Sequence, residues 1–293
     1  LLLEEYFNTA NRNTLHNTRS VGKSFASTLM GAAIEDGYIK DENQPLANFY
    51  RLREFGNYSS LKDSVTLKNL LTMSSGFNGS DQNENSPGNE ENMYPTDNWV
   101  KFALDLSMDS SKKNGEQWDY FTAGVVLLGD ILHKNVPGGL EKYAAIRLFE
   151  PMGIKHYKWL YTPQKVANTA GGLGLRSLDL AKYGQLYKNN GDWNGRQLIP
   201  KEWITKSFTN YFPDNDNLTG YGYLFWKEIF ELNGKTFEAF GCSGNGGNKV
   251  YVFKDLPLVI VITATAYNRP YAHPQVKKIM HEYLLPAVIG KNK

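Results

Sequence analysis

A chain of 293 residues, 41% of them hydrophobic and 21% charged, has the composition of a globular protein with one large domain or two smaller ones. Its net charge of +2, without a run of Lys and Arg, argues against a nucleic-acid-binding protein. The longest apolar run, residues 256–266, is too short to span a bilayer, and the single cysteine excludes an internal disulfide. The opening LLLEEYFNTA is not typical of a signal peptide and has the pattern of an internal segment.

The front of the chain is predicted to contain a strand, a connector and a helix. Residues 2–7 (LLEEYF) favour a strand, and residues 13–19 form a polar connector. From Ser20 to Asp36 apolar residues recur at helical spacing, and Gly37 supplies a stop signal. The small residues on the apolar face of this helix predict close packing in a core.

The middle of the chain is predicted to be mostly helical. Helices are expected over residues 66–76, with Thr66 as N-cap, and over residues 97–106, 122–134 and 140–149. Residues 78–95 are rich in Asn, Asp, Ser, Gly and Glu and predict a mobile surface loop. After residue 171 a loop leads into a helix that starts at Ser177.

The final quarter is predicted to be β-rich. Four strand candidates stand between turn residues: YGYLFWKEIF, KTFEAFG, NKVYVF and PLVIVITATA. Their hairpin-like spacing favours antiparallel pairing, and a last helix is expected over residues 273–284. The predicted fold class is therefore α/β (α+β), an antiparallel sheet flanked by helices. The sheet domain comprises residues 1–48 and 166–293, and residues 49–165 form a helical insertion domain.

The stretch RSVGKSF, residues 19–25, admits two interpretations. Gly22-Lys23-Ser24 matches the end of a phosphate-binding P-loop motif. That motif needs a glycine five residues before its Gly-Lys, and this chain has Asn17 there. Ser20 and Lys23 instead form a Ser-x-x-Lys motif. Residues three apart on a helix lie side by side, and a neutral buried amine can take the proton of a serine hydroxyl. The competing interpretation is an N-cap serine beside a solvated lysine.

Two further segments support the catalytic interpretation. They are GEQWDYFT, residues 115–122, before a predicted helix, and FGCSGNGGN, residues 240–248, before a predicted strand. Together with Ser20-x-x-Lys23 they resemble the three signatures of the serine β-lactamase and penicillin-binding-protein superfamily. The closer resemblance is to its class-C-like branch, which includes family VIII carboxylesterases and 6-aminohexanoate-dimer hydrolases. It covers nearly the whole chain, through segments such as LKNLLTMSSGF and AGGLGLRSLDLAKYGQLYKNNGDWNGRQLIPKEWI.

The resemblance implies roles for individual residues. Ser20 matches the acylated nucleophile and Lys23 its activating partner, while Tyr120 matches the tyrosine that serves as general base and then as acid to the leaving group. We expect Ser20 at the start of a buried helix, facing a cleft. Tyr120 should enter this cleft from the helical side and residues 241–247 from the sheet side.

Two departures from the family pattern bear on the substrate. Thr122 replaces the asparagine of the Tyr-x-Asn element, and Gly241-Cys242-Ser243 replaces Lys-Thr-Gly. The missing lysine would have met a substrate carboxylate, so anionic substrates lose about 1.5–3 kcal/mol of charge-assisted hydrogen bonding. Both departures favour an ester or amide hydrolase over a β-lactamase. The N–H of Ser243 or Gly244 would pair with that of Ser20 as an oxyanion hole.

The residue pattern gives less support to the other candidate site residues. Cys242 could be a thiol nucleophile, although a lone cysteine at a strand edge is more often a packed residue. His16 could line the cleft, although a surface connector is the simpler interpretation. The histidines show no zinc spacing, and we expect neither metal nor cofactor.

The leading hypothesis is a serine hydrolase acting through an acyl-enzyme on a small ester or amide, without nucleic-acid partners. The alternatives are a D-peptide-processing enzyme or β-lactamase, and a non-catalytic binding or sensor protein on the same fold. A periplasmic or secreted location is plausible by the resemblance, which also implies a further strand and helix before LLLEEYF. The oligomeric state, the substrate and the ester or amide preference stay open.

Overall fold

The computed structural model describes residues 1–213 and 219–290. Its strands in this part of the chain are β1 (His16–Asn17), β2 (Tyr157–Trp159), β3 (Leu173–Leu175), β4 (Asp192–Trp193), β5 (Arg196–Gln197), β6 (Thr219–Tyr221), β7 (Trp226–Leu232), β8 (Lys235–Gly244), β9 (Asn248–Phe253) and β10 (Val259–Ile262). Its α-helices are α1 (Val21–Glu35), α2 (Ser60–Asp63), α3 (Leu67–Leu71), α4 (Glu90–Met93), α5 (Trp99–Asp105), α6 (Thr122–Asn135), α7 (Gly139–Ala144), α8 (Ser177–Lys188), α9 (Lys201–Ser207), α10 (Ala272–Ile279) and α11 (Leu285–Ile289).

An antiparallel sheet of five strands, in the order β10-β9-β8-β7-β6, forms the back of the molecule. All four predicted strands lie in it. The stretch YGYLFWKEIF is divided between β6 and β7, because a tight turn, closed by a hydrogen bond from Gly222 N to Phe225 O at 2.8 Å, separates them. The mixed helical and antiparallel architecture confirms the predicted fold class.

Helix α1 lies at the centre of the molecule. It is buried from Val21 to Ala33 and packs between the sheet, at β8, and α6. The small residues of its sequence permit this close packing. A Cβ on Gly31 would lie 2.4 Å from the ring of Trp203, so only glycine fits there.

Three sequence predictions about local structure are wrong. Residues 2–7 form no strand, and Leu2 and Leu3 are exposed. Residues 16–17, predicted as connector, pair with β3 in a second sheet of order β1-β3-β2. Residues 78–95 are not a simple surface loop, since they contain α4. β1 forms through its pairing with the distant β3, which the local composition of residues 13–19 does not signal.

The other predicted helices are confirmed with bounds that shift by a few residues. Thr66 caps α3 through a reciprocal capping box with Asn69, as its position predicted. The buried core extends without interruption from α1 through the helical middle to the sheet, and a smaller apolar cluster lies between the sheet and the C-terminal helices. The division into two domains stays a prediction. In the described part of the chain no helix has the length and apolar character required to cross a membrane.

Candidate active site

A constrained turn places Ser20 at the start of α1. β1 pairs with β3, and the Thr18 hydroxyl donates a hydrogen bond to Leu173 O at 2.5 Å. Arg19 then adopts a φ of 52°, in the left-handed region that non-glycine residues rarely occupy. Such strain persists only where the surroundings enforce it. The turn therefore fixes Ser20 at the N-cap position of α1.

Lys23 contacts the hydroxyl of Ser20. The Lys23 side chain is 2% exposed, and its Nζ lies 2.9 Å from Ser20 Oγ. A second hydrogen bond, at 2.5 Å, runs from Nζ to the backbone carbonyl of Ala170, 147 residues along the chain. The amine is thus held in one position beside the hydroxyl, as the i,i+3 spacing predicted.

This arrangement is suited to proton transfer. A neutral amine has two N–H groups and one lone pair. In the structure Nζ donates to both Ser20 Oγ and Ala170 O. A neutral amine in the same place can keep its N–H on Ala170 O while its lone pair accepts the Ser20 hydroxyl proton across the 2.9 Å contact. Ser20, at the border of the buried helix, stays partly exposed and can be reached by a substrate. Lys23 is buried and makes two hydrogen bonds, so the alternative interpretation of a solvated lysine beside an N-cap serine does not fit.

Tyr120 meets this pair through its ring. The Lys23 Nζ lies 5.2 Å from the ring centroid, so the centroid is no more than about 8 Å from Ser20 Oγ, the two contacts laid end to end. Within the described residues its hydroxyl makes no hydrogen bond to Ser20 or Lys23. The structure thus brings the three residues together, with the Tyr120 hydroxyl free for another partner.

Asp81 holds the segment that carries Tyr120, and sequence reasoning did not identify it. Asp81 N donates to Tyr120 O at 2.8 Å, and the carboxylate accepts the N–H of Thr122 at 2.7 Å and that of Glu90 at 2.8 Å. Asp81 therefore acts as a remote N-cap for α6. Burial raises the pKa of this carboxyl above its ordinary value. No local pattern signals the role, because Asp81 lies about 40 residues before Tyr120 and Thr122.

The end of β8 approaches Ser20 from the sheet side. A Cβ on Gly244 would lie 2.3 Å from Thr18 O and 3.3 Å from Ser20 N, so this backbone contact requires glycine. Ser243 pairs with Lys249 of β9. Among the described residues, neither Ser20 N–H nor Asn245 N–H has a hydrogen-bond acceptor. Asn245 therefore joins Ser243 and Gly244 as a candidate donor to an oxyanion.

The remaining predicted residues lie in buried positions. Thr122 is 1% exposed, and its hydroxyl has no hydrogen-bond partner among the described residues. His16 is buried at 8% exposure within β1, so the surface-connector interpretation is wrong, and burial lowers its pKa. Cys242 is 2% exposed, and burial raises the pKa of its thiol to about 12.

Cys242 is therefore expected to resist alkylation in the folded protein. Reaction with iodoacetamide proceeds through the thiolate, which is scarce at pH 7.5 when the pKa is about 12. We expect no adduct by mass spectrometry in native buffer and one adduct in denaturant, where the chain exposes its single cysteine. Rapid labelling of the native protein would restore Cys242 as a candidate nucleophile.

Comparison with known proteins gives consistent matches. The family profile described as Beta-lactamase matches residues 2–281. A candidate penicillin-binding protein of Bacillus subtilis, PbpX, is 25% identical over 166 residues, which are 57% of this chain. The chain spans about a third of the length of that curated relative, 33%.

Solved structures share the fold at low sequence identity. A candidate 6-aminohexanoate-dimer hydrolase from Bacillus anthracis has a TM-score of 0.81 at 18% identity, over 99% of this chain and 77% of its own. A D-stereospecific amidohydrolase from Streptomyces sp. has a TM-score of 0.69 at 17% identity, over 92% of this chain and 87% of its own. A family VIII carboxylesterase has a TM-score of 0.67 at 17% identity, over 90% of this chain and 82% of its own.

Proposed function

Because this chain belongs to the Beta-lactamase family, as the match over residues 2–281 shows, we propose that it cleaves an ester or amide bond through an acyl-enzyme on Ser20. The family match and the shared fold of the structural neighbours support a hydrolase of the serine β-lactamase and penicillin-binding-protein superfamily. The observation that carries the finer proposal is the 2.9 Å contact between Lys23 Nζ and Ser20 Oγ, with Lys23 buried.

The proposed reaction uses these groups in sequence. Lys23 takes the Ser20 proton while Oγ attacks the substrate carbonyl, and the carbonyl electron pair moves onto oxygen. The N–H of Ser20, with that of Ser243, Gly244 or Asn245, stabilises this oxyanion. Collapse of the intermediate expels the leaving group, which receives a proton from Lys23 or from the Tyr120 hydroxyl. Water then hydrolyses the acyl-enzyme by the same proton transfers.

The second candidate function is D-peptide processing. The similarity to a penicillin-binding protein favours this function. The absence of the lysine of the Lys-Thr-Gly motif disfavours it, since Gly241-Cys242-Ser243, with Cys242 buried, stands in place of that motif. A panel of p-nitrophenyl esters, nitrocefin and D-Ala peptides, together with a fluorophosphonate probe, separates these functions. Turnover of esters with labelling at Ser20 supports the first proposal. Selective turnover of D-Ala peptides or nitrocefin supports the second, and no reaction at all supports a non-catalytic protein.

Tyr120→Phe is expected to lower kcat by about 10²–10⁴ on an activated ester, because it removes the hydroxyl that delivers or accepts the proton and keeps the ring. The matched variant Thr122→Ala should cost far less, since the Thr122 hydroxyl is buried and makes no hydrogen bond with the described residues. Stopped-flow kinetics and circular dichroism measure turnover and folding. A folded Tyr120→Phe protein with near wild-type kcat, when acyl transfer limits the rate, would leave Lys23 as the sole base.

A further inference from the structure

Four aromatic side chains form one cluster where the helical middle meets the sheet. Trp118 and Tyr120 precede α6, Tyr221 ends β6, and Trp226 begins β7. The Tyr120 and Trp226 rings stack at a centroid distance of 5.9 Å, and Trp118 meets Tyr221 and Trp226 edge to face at 5.5 and 5.6 Å. Tyr221 and Trp226 close the group at 4.8 Å. We call these four residues the aromatic cluster.

The aromatic cluster adjoins the reacting groups. Its member Tyr120 lies against the Lys23 amine, which contacts Ser20 Oγ at 2.9 Å. A substituent next to a carbonyl attacked by Ser20 could therefore reach the Tyr120 side of this cluster. Trp226 pairs with Gly241, three residues before Gly244, so the sheet side of the cluster also leads to the serine.

Three of the four rings of the aromatic cluster are only partly buried in the core. Tyr221 is 2% exposed, whereas Trp118, Tyr120 and Trp226 pack on the core with one part and remain partly open with the other. Adjacent aromatic rings left partly open beside a nucleophile are a usual feature of ligand sites.

The charges around the aromatic cluster select against ionic groups. The Lys23 amine lies over the ring of Tyr120, and when it carries the Ser20 proton during the proposed reaction it would repel a cation. The carboxylate of Asp119 is held by Lys112 at 2.7 Å and does not offset that charge. The negative faces of the rings disfavour an anion.

From these observations we propose that the aromatic cluster is the specificity subsite of the enzyme, and that it binds an uncharged aromatic group next to the scissile bond. The inference rests on the proposed hydrolase function and narrows its substrates to esters or amides that carry a neutral aromatic substituent. Trp226 is the residue to test, because it is the sheet-side ring that stacks on Tyr120.

The kinetic test compares two matched pairs of esters. p-Nitrophenyl phenylacetate against p-nitrophenyl acetate varies the acyl side, and phenyl acetate against ethyl acetate varies the leaving side. The preference within a pair is the ratio of the two kcat/KM values. Dividing the wild-type preference by that of a variant removes the difference in intrinsic reactivity between the two esters. Trp226→Ala is expected to lower one of the two preferences about ten-fold, the loss of a stacked ring and its apolar contact.

Trp193→Ala is the matched control. Trp193 is also a partly buried tryptophan on a strand, and it lies outside the aromatic cluster. It should leave both preferences within about twofold of wild type. A folded Trp226→Ala protein that keeps both preferences within the same margin would overturn the proposal.

A binding test works without turnover. The Ser20→Ala protein is titrated by calorimetry with phenylacetamide, benzylamine and phenylacetate, which share a ring and differ in charge. The uncharged amide should bind the Ser20→Ala protein most tightly of the three compounds. Its affinity should fall about ten-fold in the double variant that also carries Trp226→Ala. Tighter binding of either ion would overturn the assigned substrate class. If the wild-type protein hydrolyses none of the esters, the proposed function fails, and this titration still decides whether the subsite exists.

Discussion

Ser20→Ala is expected to reduce hydrolysis of an activated ester by more than about 10⁴-fold, the usual consequence of removing a catalytic nucleophile, and to abolish labelling by a fluorophosphonate. The physical reason is that Ser20 Oγ is the hydroxyl that Lys23 contacts, at 2.9 Å, and that Ser20 is partly exposed at the start of α1. Any remaining activity would come from the oxyanion donors and bound water. The measurement is kcat/KM on p-nitrophenyl acetate, with the adduct site mapped by peptide mass spectrometry.

Ser27→Ala is the matched control for this variant. Ser27 lies on the same helix, is fully buried, and has a hydroxyl without a hydrogen-bond partner among the described residues. Removing an unpaired buried hydroxyl should leave stability equal or slightly higher, and activity unchanged. Equal activity in the Ser20→Ala and wild-type proteins, with both folded, would exclude Ser20 as the nucleophile.

Lys23→Met is expected to lower kcat by about 10²–10⁴, because a thioether of similar length cannot accept the Ser20 proton. It also leaves Ala170 O without its donor, which costs about 1–3 kcal/mol of the free energy of unfolding. Lys23→Arg should be equally inactive, since a guanidinium keeps its charge and cannot act as a base. Rates are measured as a pH profile of kcat on one ester, with urea unfolding for stability.

Lys62→Met separates the loss of catalysis from the loss of stability. Lys62 is likewise a fully buried lysine, and its Nζ donates to two backbone carbonyls, Gly56 O at 2.9 Å and Leu104 O at 2.7 Å. Its replacement should cost a similar free energy of unfolding and leave kcat near wild type. If Lys23→Met retained kcat within about threefold, or if both variants lost it equally, Lys23 would not be the base.

Much of the candidate site could be predicted from the sequence because its parts are local. The i,i+3 spacing of Ser20 and Lys23 on one helix determines their contact, and the turn residues that flank two strand-forming runs indicated where β8 and β9 run. The order of the three motifs, through the family resemblance, selected Tyr120 from 18 tyrosines. Each of these signals depends on residues close together in the chain, where backbone periodicity alone sets the geometry.

Other parts of the site were decided only by tertiary structure. Asp81 meets Thr122 across 41 residues, and Lys23 meets Ala170 O across 147. Trp226 reaches Tyr120 only because β7 pairs with β8 at the edge of the cleft. Such contacts follow from how whole helices and sheets pack, and a backbone carbonyl partner such as that of Ala170 leaves no residue-type signal in the sequence. The sequence by itself therefore determined the contact between Ser20 and Lys23 and the fold class, while packing decided which distant groups hold these two residues and which rings lie beside them.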